Sequence, residues 1–160
     1  MKKKKISTKL IRGGINRSPF SETSEALYLT SGFVYETAEV AEKSFKEEKN
    51  RFMYSRFGNP TIEIFQKKLS LLEEAEVCWA TSSGMSSLFT ILMSYLEAGD
   101  RVVAGRALFG SCHHILTKIL PKFGIEVQLI DGKDLNKWES ALKKKTKIVF
   151  FETPSNPCLE

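Results

Sequence analysis

The sequence predicts an α/β fold: a mostly parallel sheet with helices on both faces. Three observations predict it. Short apolar runs at 101–104, 125–130 and 148–151 alternate with stretches of helical period, the pattern of strands joined by crossover helices. The 160 residues are 42% hydrophobic and 27% charged, enough apolar material for a real core in a globular chain. Three polar or glycine-bearing stretches also fall at the carboxyl ends of predicted strands, where open α/β sheets bind ligands.

Taken in order, residues 1–36 lack sustained periodicity and are rich in Gly, Ser, Thr, Asn and Pro, so they read as an extended arm. Ala26-Leu27-Tyr28-Leu29 and Phe33-Val34-Tyr35 are apolar islands expected to dock on another surface, including that of a neighbouring subunit. A short helix is expected from Thr37 to Phe45, with Thr37 as cap and Glu39 in its first turn. Asn59 caps the next helix and Pro60 opens it. Ile62, Phe65, Leu69 and Leu72 then form an expected core-facing stripe. Val77 to Thr81 reads as a strand. Gly84 to Ala98 is a helix apolar on most faces (Met85, Leu88, Phe89, Leu92, Met93, Leu96) and so expected to be buried. Arg101 to Ala104 is a strand and Cys112 to Phe123 a helix that Pro121 should kink or stop. A strand from Ile125 to Ile130, a helix from Asp134 to about Leu142 and a strand from Ile148 to Phe151 complete the series.

The net charge of +5 is clustered in Lys2 to Lys5 and Lys143 to Lys145. Without interleaved aromatics these runs read as a terminus and a solvated helix end, not a nucleic-acid surface. The N-terminal lysines are not followed by an apolar stretch, so no secretory signal is read, and no segment is long and apolar enough for a membrane span. Cys78, Cys112 and Cys158, odd in number and scattered, suit reduced thiols in a cytoplasm. His113 and His114 are adjacent and point in different directions on a helix, so they do not make a metal site. Nothing in the sequence identifies an activating partner for Cys112 as a nucleophile.

The chemistry concentrates in three stretches. Tyr54-Ser55-Arg56-Phe57-Gly58-Asn59-Pro60-Thr61 offers a phenol and a guanidinium, both donors suited to a phosphate. Ser83-Gly84-Met85 stands at a helix start, where free N–H groups and the helix dipole favour an anion. Glu152-Thr153-Pro154-Ser155-Asn156-Pro157 follows the last strand. By the residues alone, each has a plain reading too: turn residues at Tyr54 and Arg56, a capped helix at Ser83, a core aromatic at Phe109, a satisfied turn at Glu152 and Asn156.

In order and spacing, the three stretches together resemble the pyridoxal-phosphate enzymes of cysteine and methionine metabolism, the cystathionine γ-synthase-like family. The segments Ala107-Leu108-Phe109-Gly110-Ser111 and Glu25-Ala26-Leu27-Tyr28-Leu29-Thr30-Ser31-Gly32 look most like its O-succinylhomoserine sulfhydrylase branch. The resemblance implies an aspartate aminotransferase-like (fold-type I) enzyme binding pyridoxal 5'-phosphate. Residues 1–58 would be the arm and short helix, making dimer contacts, and 59–160 the first part of the large cofactor-binding domain. It implies that Ser83, Gly84 and Met85 hold the cofactor phosphate. Tyr54 and Arg56 would reach the phosphate in a neighbouring subunit of a homodimer or homotetramer. Phe109, where many members carry tyrosine, would stack on the pyridine ring without offering a hydroxyl. Asn156 would bond near the cofactor's phenolic oxygen or the substrate carboxylate, and Glu152 would line the substrate side.

The implied reaction is γ-replacement, O-succinylhomoserine plus sulfide giving homocysteine and succinate in methionine biosynthesis. The family alternatives are cystathionine γ-synthase and methionine γ-lyase activity. From another class, the alternative is a non-catalytic phosphate-binding or nucleic-acid-binding α/β module, but neither a G-x-G-x-x-G nor a P-loop is present. The family's Schiff-base lysine, its aspartate at the pyridine nitrogen and its substrate-clamping arginine have no counterpart in these residues. The chain is therefore expected to be the N-terminal part of a larger enzyme, inactive alone.

Overall fold

The computed structural model describes residues 5–47, 51–157 and 159. Lys2 to Lys4 of the cationic run and Cys158 lie outside the described residues; Cys78 and Cys112 are free thiols. The chain divides into two compact units, residues 1–80 and 81–160.

In the first unit the arm is not wholly irregular, because Ile6–Arg12 forms a helix (α1). Its seven residues carry no side-chain cap and no first-turn acid, so local signals did not mark it. Tertiary packing sustains it. The turn after α1 lies so close to a later helix that a Cβ on Gly13 would come 2.7 Å from Leu71 Cδ1. Lys9 also pairs with Glu74 at 3.7 Å. The next helix, α2 (Ala38–Phe45), starts as the sequence predicts, with Thr37 Oγ1 accepting the Val40 N–H at 3.2 Å.

The rest of the arm is knitted to residues 53–61. Gly32 bridges Tyr54 in antiparallel fashion, and Ser55 N–H donates to Ser31 O at 2.9 Å. Asn59 does more than cap α3 (Pro60–Glu73). Its Oδ1 accepts the Thr61 N–H at 2.9 Å while its Nδ2 donates to Tyr28 O at 3.0 Å and to Ser55 Oγ at 2.9 Å. The expected stripe on α3 is corrected: Ile64 is the residue buried, while Ile62 and Phe65 are largely exposed. Apolar residues occur on more than one face of this helix, and spacing alone does not say which face the arm covers. The strand expected at Val77–Thr81 is also corrected. Val77 (69% exposed) and Trp79 (78%) are extended but have no ladder partner among the described residues, and the Ala80 N–H goes to Gln66 Oε1 instead. Strand-favouring residues describe a surface that suits a ladder and do not supply the neighbour.

The second unit is the α/β element. It runs α4 (Gly84–Tyr95), β1 (Arg101–Gly105), α5 (Gly110–His114), β2 (Glu126–Ile130), α6 (Leu135–Leu142) and β3 (Ile148–Phe150). The sheet order is β2-β1-β3, all parallel, with Val103 opposite both Gln128 and Val149. On one face Val102 and Ala104 pack with Leu92, Leu96, Leu116 and Leu120; on the other Val103 packs with Ile130, Ala141 and Trp138. β1 is therefore buried along its whole length, as a central parallel strand should be. α4 is less enclosed than its composition suggests: Leu92 is buried, Ile91 and Tyr95 face out.

The helix expected at 112–123 begins earlier, at Gly110, and widens to a π turn (Ile115–Ile119) before tightening to a 3-10 turn (Leu120–Phe123). Pro121 cannot give an N–H to Thr117 and its ring crowds that carbonyl, so regular α geometry cannot continue through it. Gly124, at φ 74°, ends the element.

At the opposite end of the sheet from the site, buried Arg101 ties the strands to α6. It donates to Glu126 Oε1 (3.0 Å), Ala141 O (3.0 Å), Thr146 Oγ1 (2.7 Å) and Gln128 Oε1. Among the described residues no helix is long and apolar enough to cross a membrane.

Candidate cofactor site

Ser83 caps α4: its Oγ accepts the Ser86 N–H at 3.1 Å and its carbonyl the Ser87 N–H at 3.0 Å. Thr81 locks the approach, donating to Ser83 O at 2.8 Å and sharing a 2.6 Å bond with Ser87 Oγ. The N–H groups of Gly84 and Met85 meet no acceptor among the described residues. They lie at the positive end of a 12-residue helix, and nothing comes within 4 Å of where a Cβ on Gly84 would be. The Met85 side chain packs on the core that contains Leu92 and Leu108, which holds the first turn down on the sheet side. Free donors, dipole and open space suit one end of a phosphorylated group.

Beyond the carboxyl end of β1, the backbone carries Leu108 into the core and leaves Phe109 43% exposed. Phe109 is thus not a core ring. Its N–H donates to Glu152 Oε2 at 2.8 Å, a bond between residues 43 apart that joins the ends of β1 and β3. Cys112, buried one turn on, has its thiol pushed up to about 11, first by burial and then by the Glu152 carboxylate. That thiol is neutral at ordinary pH and is no activated nucleophile. Asn156 sits exposed in the turn that follows. A cleft of about 500 Å³ opens on the α6 side of the same strand ends, lined by Arg106, Trp138, Val149, Phe151 and Glu152 among others. Of the residues singled out by sequence, Glu152 is the one that lines it.

Tyr54 and Arg56 belong to the first unit. Both are exposed, and the Arg56 guanidinium lies 5.3 Å from the ring centroids of both Tyr54 and Phe57. No carboxylate among the described residues pairs with Arg56. The structure brings Phe109 and Glu152 into contact and sets Ser83, Gly84 and Met85 in one turn. The Phe109–Glu152–Cys112 link was not read from the sequence, where nothing marks a carboxylate as the acceptor for an amide 43 residues away.

The Cys/Met metabolism PLP-dependent enzyme family model matches residues 7–160. The chain belongs to that family. As a member of the Cys/Met metabolism enzymes it shares their cofactor, pyridoxal 5'-phosphate. It is 54% identical over 147 residues to an O-succinylhomoserine sulfhydrylase of Mycobacterium tuberculosis, covering 92% of this chain and 36% of that protein. It is 36% identical over 159 residues to an L-methionine gamma-lyase of Fusobacterium nucleatum, covering 99% of this chain and 40% of that one. A crystal structure from Campylobacter jejuni, described as an O-acetylhomoserine (thiol)-lyase with N'-pyridoxyl-lysine-5'-monophosphate, superposes with a TM-score of 0.88 at 26% identity, covering 99% of this chain and 39% of that one. The chain therefore spans about two fifths of the length of these relatives. The Cys/Met fold accounts for the parallel sheet with helices on both faces.

Proposed function

We propose that this chain supplies the phosphate- and ring-binding part of an enzyme that replaces the γ-substituent of O-succinylhomoserine with sulfide. The Cγ–O bond breaks and succinate leaves with that oxygen; a Cγ–S bond forms, giving homocysteine. The observation that carries the reading is the start of α4, where the Gly84 and Met85 N–H groups are left without acceptors in an open, solvent-facing turn. The 54% identity to a sulfhydrylase, against 36% to a γ-lyase, favours replacement over elimination.

When bound, the cofactor supplies an electron sink that stabilises negative charge on substrate carbon. The chain's own residues bind and orient. Ser83 shapes the first turn of α4, while Gly84 and Met85 present N–H groups to the phosphate. Phe109 offers a ring face for stacking and no hydroxyl to donate or take a proton. Asn156 offers an amide to the cofactor's phenolic oxygen or to the substrate carboxylate. Tyr54 and Arg56 serve the phosphate of a neighbouring subunit, with the arm in residues 1–58 adding to the contact and 59–160 forming the first part of the cofactor-binding domain. The site is then complete only in a dimer or tetramer. The covalent lysine has no counterpart in these residues and belongs to the remaining three fifths of the relatives' length.

The test is a product assay on the full-length enzyme with O-succinylhomoserine and sulfide. Homocysteine and succinate in equal amounts support the reading. A 2-oxo acid and ammonia as the main products with sulfide present would favour γ-lyase activity instead.

A further inference from the structure

The loop that presents Phe109 has an unusual anchor. Phe109 stands at the N-cap position of α5, where a side-chain oxygen ordinarily takes one of the free amide donors, and a phenyl ring has none to offer. The Phe109 N–H itself finds its acceptor at the end of β3, where Glu152 Oε2 takes it at 2.8 Å. The same carboxylate is among the causes, after burial, that raise the thiol of Cys112, which is buried one helical turn further on. One side chain therefore ties the start of the 109–112 turn to the end of β3. Leu108, buried immediately before it, fixes the entry. The exposed Phe109 ring projects from a backbone held on either side and bonded at its own amide.

We propose that Glu152 is a positioning residue that sets the orientation of the Phe109 ring, and that its carboxylate is committed to this loop and does not serve as a substrate ligand. This rests on the reading that Phe109 stacks on the cofactor, and it departs from the substrate-side role that the sequence resemblance implies for Glu152. What positioning requires is an acceptor oxygen at the right reach. What a substrate ligand requires is the negative charge. Those demands separate two conservative variants. Glu152→Gln keeps an oxygen at the same distance and removes the charge; Glu152→Asp keeps the charge and draws it back by one methylene.

The experiment uses the full-length holoenzyme and reads three quantities: cofactor affinity, the visible circular dichroism of the bound cofactor, and the substrate KM. For Glu152→Gln the expected result is affinity within about twofold of the parent and an unchanged visible dichroism. For Glu152→Asp it is cofactor affinity weaker by about tenfold, with an altered visible dichroism and little change in KM. The reverse ranking, with KM raised by Gln and spared by Asp, would overturn the inference and return Glu152 to the substrate. So would two variants that both leave the dichroism untouched. Phe109→Ala keeps the two layers apart. If it leaves cofactor affinity unchanged, the stacking reading itself fails; if it weakens affinity while Glu152→Asp does not, only the positioning role fails.

Discussion

The guanidinium of Arg56 lies 5.3 Å from the centroid of the Tyr54 ring, stacked in the short segment that Gly32 and Ser31 pin to the arm. The two rings of Tyr54 and Phe57 hold the exposed cation at the surface, with no carboxylate paired to it among the described residues. Arg56→Ala in the full-length enzyme is expected to weaken cofactor retention by about tenfold, the worth of one charge-assisted bond, without altering the far-UV spectrum. Absorbance titration measures it. A subunit carrying Arg56→Ala, mixed with one lacking the cofactor-binding lysine, should recover about one working site per mixed dimer. A mixture that stays inactive after proven exchange would put Arg56 in its own subunit's site.

Arg101, the first residue of β1, has a structural part. It is 5% exposed, and its donors meet one carboxylate, one amide, one hydroxyl and one backbone carbonyl. Arg101→Met would leave Ala141 O, Thr146 Oγ1 and Gln128 Oε1 without that donor, while the half-exposed Glu126 keeps Lys144 as its partner at 2.6 Å. The expected loss is about 3 kcal/mol, measured as a shift in the denaturant midpoint. Arg101→Lys should recover only part, because a single ammonium cannot span the fork.

Phe109 is exposed enough that truncation should open no cavity. Phe109→Ala is expected to change the stability of the apo-enzyme by less than about 1 kcal/mol and to lower cofactor affinity by about 1 kcal/mol or more. Phe109→Tyr should keep that affinity. Paired measurements of thermal unfolding and cofactor titration distinguish this from a core role, which would show the opposite split.

Cys112 carries a pH prediction. Its folded value of about 11 lies above the ordinary 9.0 because burial, then Glu152, disfavours the thiolate. A raised value means the folded state holds its proton more tightly. This contribution to stability is complete below pH 9 and is lost as pH climbs from 9 through 11. Alkylation at pH 8 should therefore modify Cys78, which is partly exposed, well before Cys112. Mass spectrometry of the labelled peptides gives the order.

Much of the second unit was legible because its signals are local and strong. Asp134 caps α6 through the N–H groups of Asn136 and Lys137, and Pro121 interrupts its helix as a missing donor must. The apolar runs at 101–104, 125–130 and 148–151 all yield strands, with β1 buried along its length and β2 and β3 alternating between covered and exposed residues. The first unit was harder. α1 has no side-chain cap, and Val77–Thr81 has the residues of a strand but no ladder partner among the described residues. The face of α3 that is covered depends on where the arm lies, which a period of 3.6 cannot tell. Of the candidate site, the Ser83-Gly84-Met85 turn was readable from its helix-start pattern. The bond from Phe109 to Glu152 was not, since it depends on two strands lying side by side.

If the start of α4 holds the cofactor phosphate through backbone donors, as we propose, Gly84→Pro should weaken that hold. Gly84 is the first helical residue, where proline's fixed φ and missing N–H cost little, and Ser83 before it is already extended at φ −162°, ψ 161°. Outside its chain neighbours and the backbone of its own helix turn, no heavy atom lies within 4 Å of the new Cβ position. The substitution therefore removes one N–H from the anion seat and leaves the helix standing. Fluorescence or absorbance titration of the full-length enzyme with pyridoxal 5'-phosphate should give an affinity lower by a factor of about ten to a hundred, with a native far-UV spectrum. Undiminished affinity in a folded Gly84→Pro enzyme would contradict the account.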